Sequence, residues 1–327
     1  MATVTQLWRF PVKSMGGQQV SELFVTARGG HADRLWAVRD LQNNVTASAR
    51  RIPALLGCTA RYQAEPGPDA GPGNVPAVSI TFPGGDEVSS NDPAIHTRLS
   101  DLAGRDVRLT PLAPVSDTSQ HRLSVRQSKA TFSQTEVRRD FGLDDSEALP
   151  DSSVFSTKQI LTLARFSTPP GTFVDLSPIH LMSSASLAAL SPDGAGYDVR
   201  RFRPNVLLDA DDSGAEFPEA AWVGATVEIG TARLWVSVPT VRCVVPTRPQ
   251  PGIELDRAIT RQLAERTNRF LGVYADVTGA GVLHVGDDVR IQLPVSPGVA
   301  RGAAAAVAKA VVRGVQRVLE KTVLREG

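Results

Sequence analysis

Leu7-Trp8-Arg9-Phe10-Pro11-Val12-Lys13-Ser14 begins as a short apolar run and is halted by a proline and a lysine. The same unit recurs along the first third of the chain. Val20–Thr26, Leu35–Asp40, Thr59–Gln63, Val75–Phe82 and Val107–Leu112 are brief apolar or alternating runs, most of them bounded by Gly, Pro, Asn or Asp. Runs of this length and composition suit strands, and turn residues at this spacing suit a small barrel or sandwich. Residues 1–112 are therefore expected to form a small β-barrel-like domain. Glu65–Pro76 is rich in proline and glycine and reads as a hairpin tip, and Asp92–Ala103 has helical spacing, with Ile95, Leu99 and Leu102 on one side.

The pattern changes twice further on. Residues 113–153 are polar and charged, with few core residues, and read as a partly ordered interdomain connection. Residues 154–294 read as a second domain. Its expected strands are Thr172–Leu176, Ile179–Met182, Val206–Leu208, Thr226–Ile229, Arg233–Val238 and Val289–Leu293; a serine-capped helix follows at Ser183–Leu190 and another falls within Leu255–Leu271. The mixed order favours a β-rich α+β fold over a doubly wound sheet. Residues 299–327 carry Lys309, Arg313, Arg317, Lys321 and Arg325 at intervals of four, with valines mostly on the other side, which makes a basic amphipathic helix. Two uses stand open for it: docking its valine face on the body, or contacting an acidic partner or anionic surface.

The 327 residues are 42% hydrophobic and carry 35 basic against 34 acidic side chains, so the chain can bury a core and has no global charge reason to bind nucleic acid. No window is long and apolar enough for a membrane span, and the start lacks a signal-peptide pattern. Two cysteines cannot build a disulfide framework, so a cytoplasmic setting is expected. CxxC, HExxH, Walker-type, GxGxxG and GxSxG patterns are missing, which argues against an all-protein zinc site, a phosphate loop and a serine-hydrolase elbow.

Cys58 reads as a buried residue in an apolar strand. Cys243 follows Arg242 and precedes Pro246-Thr247. A positive neighbour favours the thiolate, the form that binds soft metals, whereas a small buried apolar residue is the plain alternative. Around it stand candidate anion-binding elements: Lys13-Ser14, Arg34 just before a strand, Ser183 and Ser184 opening a helix, and Arg203 with Asn205 in Arg201-Phe202-Arg203-Pro204-Asn205. They gain meaning if they converge on Cys243.

These residues give the chain a resemblance to the MOSC family, named for the C-terminal part of molybdenum cofactor sulfurases, with its N-terminal β-barrel domain. Phe10-Pro11-Val12-Lys13-Ser14 and Asp33-Arg34-Leu35-Trp36 resemble motifs of the N-terminal domain. Pro178-Ile179-His180-Leu181 with Ser183–Leu187, then Arg203-Pro204-Asn205, resemble the start of MOSC; Arg242-Cys243 with Pro246-Thr247 and Val285-Gly286-Asp287 resemble its centre and end. By architecture the chain is similar to the amidoxime-reducing components. That resemblance implies a molybdenum cofactor (molybdenum-molybdopterin) with Cys243 as metal ligand and catalytic centre. Lys13, Ser14 and Arg34 would hold its phosphate or pterin. Ser183, Ser184, Arg203, Asn205, Arg242 and Thr247 would complete the cofactor site.

The resemblance further implies an oxidoreductase that reduces small N-hydroxylated or other N–O substrates. Its electrons would come from a separate ferredoxin-, flavin- or cytochrome-type protein. The alternative is a carrier of the cofactor or of persulfide sulfur, without turnover of its own. Val241 stands where amidoxime-reducing proteins tend to have a small polar residue, which leaves the shape of the substrate pocket open.

Overall fold

A computed structural model describes residues 2–209 and 214–294 of the chain. The expected C-terminal helix lies outside the described residues. The fold is β-rich α+β, as the sequence indicates. Its strands are β1 (Ala2–Arg9), β2 (Gln18–Val20), β3 (Glu22–Thr26), β4 (Gly29–Gly30), β5 (Trp36–Asp40), β6 (Val45–Thr46), β7 (Thr59–Tyr62), β8 (Val78–Thr81), β9 (Glu87–Ser89), β10 (Val107–Pro111), β11 (Ile179–Ser183), β12 (Val206–Asp209), β13 (Thr226–Ile229), β14 (Ala232–Val241), β15 (Phe270–Gly279), β16 (Gly281–His284) and β17 (Asp288–Gln292). The helices are α1 (Ala94–Ala103), α2 (Val125–Thr131), α3 (Gln134–Phe141), α4 (Thr157–Arg165), α5 (Ser184–Leu190) and α6 (Ala258–Thr267).

Seven strands close into a barrel in the order β12-β11-β15-β14-β13-β17-β1, and β1 pairs back onto β12. Closure leaves no free edge inside the ring, and β2 hangs on β1 outside it. Alternation drives the packing. Along β14, Leu234, Val236 and Val238 are fully buried while the residues between them are not. Leu234 and Val236, with Val4 and Leu7 of β1, Ile179, Leu181, Val227 and Val273, fill the barrel. The first strand of the chain thus belongs to the same barrel as strands made more than 170 residues later.

A second core is built from residues 12–112, with Ile95 and Leu99 of α1 fully buried in it. Helix α1 lies where the periodicity places it, and stops at Gly104 in the left-handed region (φ 63°). Phe173 is added to this core from the loop that precedes β11.

Several local expectations are corrected. The segment expected as a strand at Thr172–Leu176 is a loop, because Phe173 plugs the N-terminal core and carries the chain away from any sheet. Cys58 is fully buried, as expected, but it caps a 3-10 turn (Pro53–Gly57) ahead of β7 rather than lying in a strand. Helix α6 does fall within Leu255–Leu271, ending at Thr267 with Asn268 left-handed; β15, which begins at Phe270, is a strand the sequence reading did not name. The polar connection contains α2 and α3. Ser124 with Gln127 forms a reciprocal capping box on α2, and Ser133 caps α3.

Candidate functional site

The site begins where β1 leaves the barrel. Phe10, buried, is the hub. Its N–H donates to Asp33 Oδ1 at 2.7 Å, and its carbonyl accepts from Arg34 N at 2.7 Å. The guanidinium carbons of Arg34 and Arg203 lie 4.9 and 4.3 Å from the centre of its ring. Arg34 pairs with Asp33, and Asn205 Nδ2 donates to the same carboxylate at 3.2 Å. Asn205 Oδ1 accepts from His180 N at 3.2 Å. Lys13 Nζ donates to the Phe173 carbonyl at 3.1 Å and to Asp175 at 2.5 Å. Lys13, Arg34, and Arg203 with Asn205 are therefore brought to one place from three separate stretches of chain.

Arg242 reaches the same place from the end of β14. Its Nε donates to the Leu271 carbonyl at 2.7 Å, Nη1 to the Phe202 carbonyl at 3.1 Å, and Nη2 to His180 Nε2 at 2.7 Å. A guanidinium can only donate, so His180 Nε2 accepts and its Nδ1 carries the proton toward the Arg203 carbonyl at 3.3 Å. Burial, then Arg242, holds His180 well below the usual histidine range, so it is neutral at pH 7. Gly272 permits this contact: at φ 74°, a Cβ there would stand 2.7 Å from His180 Nε2.

Cys243 is half-buried beside these groups. Burial pushes its thiol up; Arg50, the Val245 N–H and Arg242 act the other way. Asp175 is 62% exposed by side chain, yet crowded enough that burial acts to raise its carboxyl. Lys13, Arg34 and Arg50 outweigh that and hold it well below the usual range. Exposure and crowding together mark the mouth of a cleft.

Charge is unbalanced inside it. Lys13 and Arg34 have carboxylate partners. Arg203 and Arg242 have none among the described residues, and Arg203 Nη2 is buried without any hydrogen-bond partner. Burial pushes Arg203 down to about 9 and Arg242 to about 10, and both stay charged at neutral pH. Buried cations without counter-charge are costly, and an anion in the cleft would offset that cost. Backbone strain gathers here too. Seven non-glycine residues among the described residues have positive φ, and three of them are residues selected from the sequence: Ser14 (70°), Arg34 (52°) and Arg203 (57°). Such conformations cost about 1–3 kcal/mol each and concentrate at functional sites.

Other selected side chains are engaged elsewhere. Ser14 Oγ accepts from Ala49 N at 2.9 Å, and Thr247 Oγ1 donates to the Val244 carbonyl at 2.8 Å. Ser183 caps Ser186 N and donates to Glu219 at 2.7 Å, and Ser186 donates to the same buried carboxyl at 2.6 Å. The start of α5, read from sequence as an anion site, is thus served by Glu219 of the chain itself. Ser184 bonds Asp209 at 3.3 Å. Sequence reading missed Arg50, Asp175 and Tyr274, all of which act electrostatically on Cys243 or on its neighbours. Asp175 lies three residues before the quoted Pro178, hidden by the strand assigned there. Arg50 is one basic residue among 35 and carries no signal of its own. A separate open groove of roughly 500 Å³ is lined by Trp8, Gln19, Leu187, Tyr197 and Arg200 among others, and none of the selected residues lines it.

Residues 169–290 match the MOSC domain, and residues 1–104 match the MOSC N-terminal beta barrel domain. This is a MOSC-domain protein. The MOSC match contains Cys243, Arg203, Asn205 and Arg242, and the N-terminal match contains Lys13, Ser14 and Arg34. The chain is 27% identical over 312 residues to mitochondrial amidoxime reducing component 2 of Rattus norvegicus, covering 88% of this chain and 83% of that protein. It is 26% identical over 318 residues to mitochondrial amidoxime-reducing component 1 of Mus musculus, covering 89% and 82%. Among solved structures it is similar to the YUAD protein from Bacillus subtilis (TM-score 0.39, 11% identity, 90% of this chain and 97% of that chain). It is also similar to YiiM from Geobacillus stearothermophilus (TM-score 0.26, 21% identity, 38% and 56%). No helix among the described residues of the MOSC-domain protein is long and apolar enough to cross a membrane.

Proposed function

We propose that this MOSC-domain protein is a molybdenum-cofactor oxidoreductase that reduces N-hydroxylated or related N–O substrates with electrons from a separate donor protein. One observation carries the reading. Two guanidiniums, that of buried Arg242 and that of half-buried Arg203, lack carboxylate partners among the described residues beside a half-buried thiol, and one Arg203 nitrogen is enclosed and orphaned. A pterin phosphate supplies the missing negative charge, and a dithiolene-bound molybdenum suits a thiolate ligand.

Lys13, Arg34, Arg203, Asn205 and Arg242 would hold the pterin and its phosphate, with Ser14 contributing from its left-handed turn; Cys243 Sγ would hold the metal. When bound, the group supplies two-electron chemistry that takes oxygen from an N–O bond. The chain's own residues bind and orient. Phe10 keeps Arg34 and Arg203 on its ring. Neutral His180 orients Arg242 through Nε2 and keeps its Nδ1 proton on the Arg203 carbonyl, so it is not the proton donor. Asp175, at the exposed mouth, meets the substrate first. The hydroxyls of Ser183, Ser184 and Thr247 are engaged within the chain, and the proposal gives them no cofactor contact. A cytoplasmic location goes with this reading, which rests on the sparse, unpaired cysteines.

The test is expression in a host that makes the pterin cofactor, followed by metal analysis of wild type and Cys243→Ala. Stoichiometric molybdenum in wild type, lost or recoordinated in the variant, is expected, together with reduction of an amidoxime or hydroxylamine by an artificial donor. Fully metallated protein without turnover counts against the enzyme. Metal-free protein with a titratable persulfide on Cys243 replaces the enzyme with a carrier.

A further inference from the structure

Residues 105–168 lie between the stretches that match the two domains, and they reach the loop that carries Cys243. The Asp140 carbonyl, in α3, accepts from Val244 N at 2.9 Å. Gly142, the left-handed cap of α3, approaches Val244 so closely that a Cβ would stand 3.3 Å from its Cγ2. Glu147 pairs with buried Arg269, whose carbonyl accepts from Arg242 N at 2.8 Å. Both neighbours of Cys243 are thereby tied to the segment, Val244 directly and Arg242 through Arg269.

The Asp140 side chain, 5% exposed, gathers two arginines of the N-terminal unit. Its Oδ2 accepts from Arg50 Nη1 at 3.0 Å and from Arg51 Nη2 at 3.2 Å, while Oδ1 is buried without a partner. Arg51 also pairs with Glu136, one turn earlier in α3. Arg50 also lies within the electrostatic reach of the cleft. Asp140 apart, the groups that act on it are Cys243, Asp175 and Tyr274, all of the cleft. A long arginine side chain has many rotamers, and a buried carboxylate shared by two of them selects one.

We infer that Asp140 is a positioning residue that fixes Arg50 beside Cys243, so that the segment joining the two domains is a wall of the cleft rather than a tether. This goes beyond the cofactor reading and does not depend on it, since it concerns a cation and a sulfur that the chain supplies itself. A cation fixed there favours anionic reactants at Cys243 over neutral ones of similar size.

The experiment uses the full chain expressed in a host without the pterin pathway. Cys243 is alkylated with iodoacetate and, separately, with iodoacetamide at one pH and low salt. In both reactions the thiolate sulfur forms a bond to carbon and iodide leaves, so the thiolate fraction cancels in the ratio of the two rates. Cys58 is 0% exposed, and peptide mapping confirms that Cys243 is the modified residue. Asp140→Asn and Arg50→Gln are each expected to lower the iodoacetate-to-iodoacetamide ratio about threefold or more. The double variant should fall no further than Arg50→Gln alone, because the two act in series. Arg51→Gln, which removes the other arginine of the clasp, should keep the wild-type ratio. An unchanged ratio in Asp140→Asn, multiplied losses in the double variant, or a fall in Arg51→Gln equal to that of Arg50→Gln overturns the inference. If Asp140→Asn does not fold, Arg50→Lys replaces it. A lysine cannot keep both the carboxylate and the cleft, so its ratio must approach that of Arg50→Gln, and a wild-type ratio overturns the inference. Failure of this test leaves metal binding untouched, and absence of metal leaves this test untouched.

Discussion

Arg242 Nη2 lies 2.7 Å from His180 Nε2, a charged donor on a neutral acceptor, both buried. This contact sets the arginine immediately before Cys243 and fixes the tautomer of the histidine. His180→Leu removes the acceptor and strands a guanidinium N–H. The expected loss is about 1.5–3 kcal/mol by urea denaturation, with His180→Gln, which keeps an acceptor, losing less. Equal losses in the two variants would falsify the hydrogen-bond role.

The close approach at Gly272 predicts a backbone effect. Gly272→Ala puts a Cβ 2.7 Å from His180 Nε2 at a φ of 74°. A loss of about 2 kcal/mol or more is expected, from steric conflict and left-handed strain together. Ala at the neighbouring buried position Val273 would instead test only volume, so the two variants separate strain from packing. A Gly272→Ala protein as stable as wild type contradicts this geometry.

Arg203 predicts opposite outcomes with and without ligand. Its Nη2 is buried and unpartnered, so Arg203→Leu removes an uncompensated charge. Cofactor-free stability should stay within about 1 kcal/mol of wild type. Molybdenum and pterin content after expression with the cofactor pathway should fall about tenfold, the order expected for losing a charge-assisted contact. Unaltered cofactor content in Arg203→Leu would detach this residue from the site.

His121 predicts a pH dependence. It is fully buried; its Nδ1 lies 2.8 Å from Thr168 Oγ1, and its Nε2 accepts from Gly171 N at 3.2 Å. Burial, against the opposing pull of Asp117, pushes its pKa down to about 4. The folded state therefore resists a proton that the unfolded chain takes up near 6.5. Stability is full above about pH 6.5 and falls as pH drops toward 4, by about 2 kcal/mol at pH 5 from this group. Buried His180, shifted the same way, adds to the fall. Urea midpoints between pH 7 and 5 should show the decline, with a shallower slope in His121→Gln. Parallel slopes in the two proteins would remove His121 as a cause.

Much of this arrangement can be read from residues in order, and the part that cannot has a physical reason. Short punctuated runs announce strands because turn chemistry is local, and Ile95 and Leu99 announce a helix face for the same reason. Helices α2 and α4 had a local signal too, Ser124 with Gln127 and Ser156 with Gln159, which low hydrophobicity masked. The pairing of β1 with β12 and β17 is non-local, and no property of Ala2–Arg9 encodes its partners. Lys13, Arg34, Arg203, Asn205, Arg242 and Cys243 were legible through motif resemblance. Arg50 and Asp140 were not, because each looks like an ordinary surface charge until Val244 and the α3 helix are placed together.

The placement of β1 bears on how the molecule is made. A ribosome releases Ala2–Arg9 long before one neighbour of this strand, Asp288–Gln292, which is among the last described segments to emerge. Until then Val4 and Leu7, fully enclosed at the end, lack their final surroundings. Nascent β1 is thus an adhesive strand awaiting a distant mate, and holding it apart from other chains is a task for chaperones during translation.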